Sequence, residues 1–556
     1  MLSTTQIFIA QAISLLPFVW LVYRLLKQYI RQISLNNIRG PSAESVLTGN
    51  LAQIFDVNGW AFHHHIADTY GGVVKIHGIC GDKQLYISDP LALHNVVVKE
   101  QDIYQETDLF IEGNKLIFGH GLLSTLGEQH RKQRKMLNPV LSIAHMRQML
   151  PMFYDISHKL RGALEARITS GTHEVDMLSW ISRTAVELIG QSGLGHSFDS
   201  LTEDHPEHPY PKVLKNLIPA LFSMMIARGF LPWFTAIGPA SLRRRALDLI
   251  PWARLQKAKS LTDYMHEVSH GILDDAKRKL EAGDEAMLAR VGQGKDIMSI
   301  LLRANMQASE ENRLTDVELL GQVSTLMFAA MDTTSGALAR TLQLLAEHPT
   351  VQDTLRDEIL EAKKASDGDI PYDELVSLPY LDAVCRETLR RYPPISIQSR
   401  TTRKDTVMPL SEPITGVDGR PIHEIGVPSN TNVIISIVAS NTNPAIWGPD
   451  AMDWKPERWL APLPSSVSSA HVPGVYSHLM TFLGGSRACI GFKFSQLEMK
   501  VVLAVLVETF RLSPTKDELF WNMTTISTPT VKGDPSGQPC MPLRLDLVDP
   551  NRRVHA

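Results

Sequence analysis

Five residues in the stretch TFLGGSRACIGFKFSQLEMKVVLAVLVETF stand at a fixed spacing: Phe482, Gly485, Arg487, Cys489 and Gly491. The residues after Cys489 repeat with helical periodicity, so the cysteine sits close to a helix N-terminus, where the helix dipole stabilises a thiolate. Gly485 and Gly491 let the backbone turn tightly and let something large come close. A thiolate with an arginine two residues away suits an iron porphyrin, sulfur to iron and guanidinium to a carboxylate of the macrocycle. Phe482 can cover the sulfur and keep water off. A buried structural cysteine or a nucleophile would use the same residues. A nucleophile, however, needs a positioned base, and none is identifiable nearby.

A second group of chemistry-bearing residues lies in FAAMDTTSGAL, from Phe328 to Leu338. Thr315-x-x-Glu318 has the form of a capping box, and Val317, Leu320, Val323 and Met327 follow at helical spacing. The pattern predicts a helix of about 33 residues, about 50 Å long, stopped by His348-Pro349. Asp332, Thr333, Thr334 and Ser335 are poor residues for a buried helix centre. Such a local violation marks a functional site or, equally, two helices meeting at a turn near Gly336.

The elements that must position these groups are mostly helical in pattern. GVVKIHGI and KQLYIS read as a hairpin around Cys80–Asp82, residues 140–200 as helices broken by glycines, and 461–475 as a loop. Leu217–Phe234 is apolar and aromatic but interrupted by Pro and Gly. It reads as core packing or as a substrate-entrance surface near a membrane. No internal repeat and no long low-complexity run occurs.

Composition bounds the classes. With 556 residues, 44% of them hydrophobic, the chain can build a very large core. A net charge of −4 gives no basic field, so nucleic acid is not an expected partner. Cys80, Cys385, Cys489 and Cys540 are the four cysteines. They form no C-x-x-C, so neither a disulfide framework nor structural zinc is expected, and a reducing compartment fits. Residues 1–23 carry no Asp, Glu, Lys or Arg. Ile7–Tyr23 is long and apolar enough for a membrane anchor, without the charged start and cleavage site of a removed signal. Arg24, Lys27, Arg31 and Arg39 follow it, which places the body of the protein in the cytosol. The expected organisation is an anchor and linker over 1–39 and a catalytic domain over 40–556.

FLGGSRACIG (Phe482–Gly491) resembles the haem-binding signature of the cytochrome P450 family, F-x-x-G-x-R-x-C-x-G, and other stretches agree in the family's order. Glu387-x-x-Arg390 in CRETLRRYPP resembles the family's E-x-x-R, and Pro456-Glu457-Arg458-Trp459 its P-E-R-F/W block. The resemblance implies a buried structural network of Glu387, Arg390 and Arg458. AAMDTT (Ala329–Thr334) resembles the oxygen-activation motif A/G-G-x-D/E-T-T/S, with Ala330 in place of the usual glycine. It implies that Asp332 and Thr333 deliver protons to iron-bound oxygen. LGEQHRKQRKMLNP resembles the W-x-x-x-R helix, with His130 where tryptophan is common and Arg134 at the arginine, both implied to face a haem propionate. Arg400 stands where the family often places another propionate-binding basic residue. Arg131, Lys132 and Lys135 belong to a solvated face or to a docking patch for an acidic reductase.

The resemblance covers essentially the whole chain after the anchor, and the style of the sequence is nearest to fungal microsomal members. It implies a mainly α fold with a small β portion. It further implies haem b with Cys489 as axial ligand, O2, electrons from an NADPH–cytochrome P450 reductase in the same membrane (the endoplasmic reticulum), and an apolar small-molecule substrate. Monooxygenation in secondary metabolism, such as terpenoid biosynthesis, is the expected activity. The alternatives are an isomerase or lyase of the same family that needs neither O2 nor reductase, a non-catalytic haem protein, and a degenerate, structural member of the family. Selectivity is expected from residues 100–125, 215–240 and 395–399, including Met224, Met225, Ile395 and Ile397. Asn522-Met523-Thr524 is a glycosylation sequon, read as unmodified in a cytosolic domain.

Overall fold

A computed structural model describes residues 30–202, 208–229, 231–283 and 295–548, together with Val19, Tyr23, Lys27 and Gln28. The expected anchor Ile7–Tyr23 therefore falls almost wholly outside the described residues. Among those described, no helix is long and apolar enough to cross a membrane. Contacts divide the chain into two units. The smaller takes the described residues up to Thr107 with 397–440 and 470–473; the larger takes 108–396, 441–469 and the chain from Gly474 on.

The smaller unit is built on a five-stranded sheet. Its strands are β1 (Val73–His77), β2 (Lys83–Ile87), β3 (Tyr104–Gln105), β4 (Ile397–Thr402) and, beyond a two-stranded hairpin of β5 (Thr406–Thr415) and β6 (Pro421–Val427), β7 (Asn432–Ser436). The sheet order is β1-β2-β7-β4-β3. β1 and β2 form the expected hairpin, with Val73 opposite Ile87 and His77 opposite Lys83. Its turn holds Cys80 at a φ of +53°. Ile54, Ile66, Val74, Ile76, Tyr86 and Ile434 make the core, and Ile397 packs against it.

One polar chain crosses this core. His63 is wholly buried, with Nε2 3.0 Å from the Ile54 carbonyl and Nδ1 2.9 Å from the Tyr86 hydroxyl, which is itself 2.6 Å from Ser436 Oγ. A neutral imidazole satisfies both contacts: Nε2–H donates to the carbonyl and Nδ1 accepts from the tyrosine. Burial pulls the His63 pKa down to about 4. The folded value lies below the unfolded one. The stability this group contributes is therefore complete above about pH 6.5 and is lost as pH falls toward 4, by about 3 kcal/mol in the limit. Urea unfolding between pH 7.5 and 4.5 is expected to show this slope in the wild type and a shallower one in His63→Gln.

The larger unit is helical. Its principal helices are α1 (Gly127–Leu137), α2 (Ile143–Thr169), α3 (Met177–Leu188), α4 (Pro209–Phe222), α5 (Ala253–Glu281), α6 (Asp316–Glu347), α7 (Pro379–Arg391) and α8 (Phe492–Thr509). A three-stranded sheet joins Glu174–Asp176, Pro542–Leu547 and Phe510–Pro514. α6 runs unbroken for 32 residues, which removes the expected alternative of two helices meeting near Gly336. Thr315 caps it reciprocally with Glu318: the Thr315 hydroxyl accepts from the Glu318 N–H, and the Glu318 carboxylate accepts from the Thr315 N–H at 2.9 Å. α3, α5 and α8 pack against α6, so most of its surface needs apolar or small residues.

Two local readings change. Residues 461–475 are not all loop, because Ser465–Ser469 form a short helix. Pro464 stands just before it, where a missing N–H costs nothing. The buried Val467 side chain and the bond from Ser466 Oγ to the Ile446 carbonyl (2.7 Å) hold the turn in place. The apolar stretch Leu217–Phe234 divides into the end of α4 and two short helices, Met225–Arg228 and Leu231–Thr235.

Candidate active site

Cys489 lies between a short turn, Gly485–Arg487, and the start of α8. The loop before it is shaped by two left-handed residues, Leu483 (φ +54°) and Gly485 (φ +67°). Glycine tolerates that conformation; leucine holds it under strain. The strained turn is closed by hydrogen bonds. The Cys489 N–H donates to the Phe482 carbonyl at 2.9 Å, and the Leu483 N–H donates to the Met480 carbonyl at 2.8 Å. Phe482 is buried between the rings of Tyr476 and Phe492. Gly491 is the residue that caps α8.

The cysteine is accessible, yet burial still pushes its thiol up; the Gly491 N–H and the charge of Arg134 pull the other way. Cys489 is thus reachable from outside the backbone that presents it, yet sits among dense surroundings. A thiolate there needs a further positive charge against its sulfur, and a metal cation supplies one.

The central part of α6 shows a matching opening. The helix is buried from Leu319 to Met327 and from Thr334 to Ala339, but Phe328, Ala329, Ala330 and Thr333 are partly or fully accessible. Ala329, Ala330 and Thr333 share one face, Thr333 standing four and three residues after the two alanines, which opens a window in the middle of a buried helix. The Thr333 hydroxyl lines it and donates to the Ala329 carbonyl at 2.7 Å. The next residue, Thr334, donates to Ser495 Oγ of α8 at 3.2 Å. This bond ties α6 to α8 one residue after Thr333 and six residues after Cys489.

Asp332 points elsewhere. Its carboxylate is buried and meets Lys215 Nζ of α4 at 3.1 Å. Lys215 was not singled out in the sequence, although one signal was present: it flanks the apolar stripe Tyr210, Leu214, Leu217 and Ile218 of α4.

A group of cations gathers beside Cys489. His130 is buried on α1, and its pKa is pulled down to about 3 by burial first and then by Arg487, Arg134 and Arg131. Arg134 donates to the Ala488 carbonyl at 2.7 Å, and Arg487 donates to the Thr125 carbonyl at 2.6 Å. Two guanidiniums around a neutral histidine form a donor set for carboxylates. Accessible thiol, capping glycine, open helix face and carboxylate-binding donors together fit an iron porphyrin. Arg131 pairs with Glu128 on its own helix. Arg400 belongs to the smaller unit, where it is buried on β4 and paired with Glu106 at 3.2 Å.

The supporting network sits on α7. Glu387 and Arg390 are fully buried and form a bidentate pair at 2.8 and 2.9 Å. The remaining Arg390 contacts go to the carbonyls of Asn441 (2.9 Å), Ala451 (2.7 Å) and Asp453 (2.9 Å). All five guanidinium N–H groups are thereby used. Glu387 also accepts from the Lys455 N–H (3.0 Å), Arg458 Nε (3.3 Å) and Trp459 Nε1 (2.9 Å). Burial alone would raise the Glu387 carboxyl, but Arg390 holds it below its ordinary value.

Residues 39–536 match the family profile described as Cytochrome P450. Curated relatives agree over nearly the whole chain. Cytochrome P450 monooxygenase 91 of Postia placenta is 54% identical over 95% of this chain and 97% of its own. Cytochrome P450 monooxygenase 212 of the same fungus is 50% identical over 96% and 97%. A protein named ganoderic acid synthetase, from Ganoderma lucidum, is 43% identical over 95% and 96%. The open face of α6, the cysteine at the head of α8 and these matches lead to one conclusion: the chain belongs to the cytochrome P450 family and is a cytochrome P450 monooxygenase.

Proposed function

We propose that Cys489 holds the iron of haem b and that the protein inserts one oxygen atom from O2 into an apolar small molecule of secondary metabolism, such as a terpenoid intermediate. The carrying observation is the accessible Cys489 at the head of α8, one hydrogen-bonded helix contact away from the open Thr333 face of α6. The fungal relatives, the one named ganoderic acid synthetase among them, support the metabolic setting.

When bound, the haem supplies activation of O2 and its transfer to carbon. The protein does the rest. Phe482 shields the sulfur, and Arg134, Arg487 and His130 orient the carboxylates of the macrocycle. Gly485 and Gly491 shape the cysteine loop. The Thr333 hydroxyl, released from its bond to the Ala329 carbonyl, holds and passes a proton at the accessible face of α6. Asp332, buried and compensated by Lys215, supplies protons to that hydroxyl only when it exchanges Lys215 for the Thr333 side. Residues 1–39 act as anchor and linker ahead of a catalytic domain over 40–556. That places the domain on the cytosolic face of the endoplasmic reticulum beside an NADPH–cytochrome P450 reductase.

Retention of both Asp332 and Thr333 favours this reading over an O2-independent isomerase or lyase. The test is reconstitution with the reductase, NADPH and isotopically heavy O2 over a panel of apolar substrates. NADPH-dependent product carrying one heavy oxygen supports it; turnover without NADPH or O2 overturns it. In the same assay Thr333→Val keeps the side-chain shape and loses the hydroxyl. Product formed per NADPH consumed is expected to fall by about tenfold or more, with unchanged spectra of the bound haem.

A further inference from the structure

Two histidines on the outer face of α5 already stand as a chelating pair. His266 and His270 are one turn apart and both exposed. Their Nε2 atoms approach to 3.1 Å, with ring centroids 4.5 Å apart and planes at 84°. The inner face of the helix is packed, since Met265, Ser269, Ile272 and Ala276 are buried and Ser269 Oγ meets Ser324 Oγ of α6 at 3.0 Å. The geometry is therefore carried on a rigid backbone.

With metal–nitrogen bonds of about 2.1 Å, an Nε2–Nε2 separation of this size gives an angle of about 95° at a shared ion. That is close to the angle between adjacent ligands in square or octahedral coordination, and it lies within reach of a tetrahedral site. Without a metal, only one N–H can fit between the two nitrogens, so at least one already offers its lone pair. Among the described residues, no third His, Cys, Asp or Glu gathers into a metal cluster, so water completes the coordination.

We propose that His266 and His270 form a surface site for one divalent transition-metal ion of the imidazole-preferring class, Zn2+, Cu2+ or Ni2+. Bound there, the ion staples one turn of α5 and stabilises the helix. The test is calorimetric titration of chelator-treated holoenzyme with Zn2+. The wild type is expected to take up one ion at this pair with micromolar affinity. His266→Gln and His270→Gln each weaken that binding by about tenfold or more, while His65→Gln, in the separate run His63–His65, leaves it unchanged. Paramagnetic resonance with Cu2+ is expected to show two nitrogen ligands in the wild type and one in each pair variant. Zn2+ binding as tight in both pair variants as in the wild type, or no wild-type binding below millimolar Zn2+, would overturn the proposal.

Discussion

With Cys489 as the proposed iron ligand, its replacement by serine is expected to lower oxygenation by at least about a thousandfold, equivalent to more than about 4 kcal/mol of lost transition-state stabilisation. The substitution changes one atom. The loop that presents it is held by backbone: the 489 N–H bonds to the Phe482 carbonyl, and the strain at Leu483 is closed by Met480. Neither bond uses the sulfur, so the fold survives and the loss is chemical. A hydroxyl near neutral pH is a far weaker anionic donor than a thiol, so on the proposed ligation the push of electron density that a thiolate gives iron would be lost. Steady-state turnover with reductase and NADPH, normalised to bound haem, measures it. Turnover within tenfold of wild type would show that the sulfur is not the essential ligand.

Replacing Glu387 by alanine is expected to prevent accumulation of folded holoprotein. The change leaves Arg390 and Arg458 facing a gap where a carboxylate accepted five hydrogen bonds. Breaking a buried pair by removing one partner costs about 3–5 kcal/mol, a large share of the total of about 5–15 kcal/mol available to an ordinary domain. Glu387→Gln keeps an acceptor oxygen for part of the network and is expected to fall between alanine and wild type. Urea midpoints and haem content after purification check this order. An alanine variant as stable as wild type would remove the network from any supporting role.

Much of this site could be read in the sequence because its parts are local. The cysteine loop is a run of ten residues whose glycines and arginine act within one turn. The capping box of α6 is four residues long and is found as such. The polar run at 332–335 has separate causes that are visible only in three dimensions: Thr333 lies on the accessible face of α6, Asp332 pairs with Lys215, and Thr334 bonds Ser495. Lys215 could not be assigned from sequence, because its partner lies 117 residues away and one lysine beside an apolar stripe usually reaches solvent. The same holds for Ser495 and the carbonyl of Thr125, which join the site through contacts that no spacing encodes. Ser465–Ser469 was missed because proline and serine read as loop, while the burial of Val467 that stabilises the helix is a tertiary effect.

The most direct measurement of the central claim is the absorption spectrum of the reduced, carbon monoxide-bound protein, wild type beside Cys489→Ala. Ligation by Cys489 predicts a strongly red-shifted Soret band in the wild type that is absent from the variant. A band at the ordinary position of histidine-ligated haem in the wild type, or a red-shifted band that persists in the variant, would contradict the assignment.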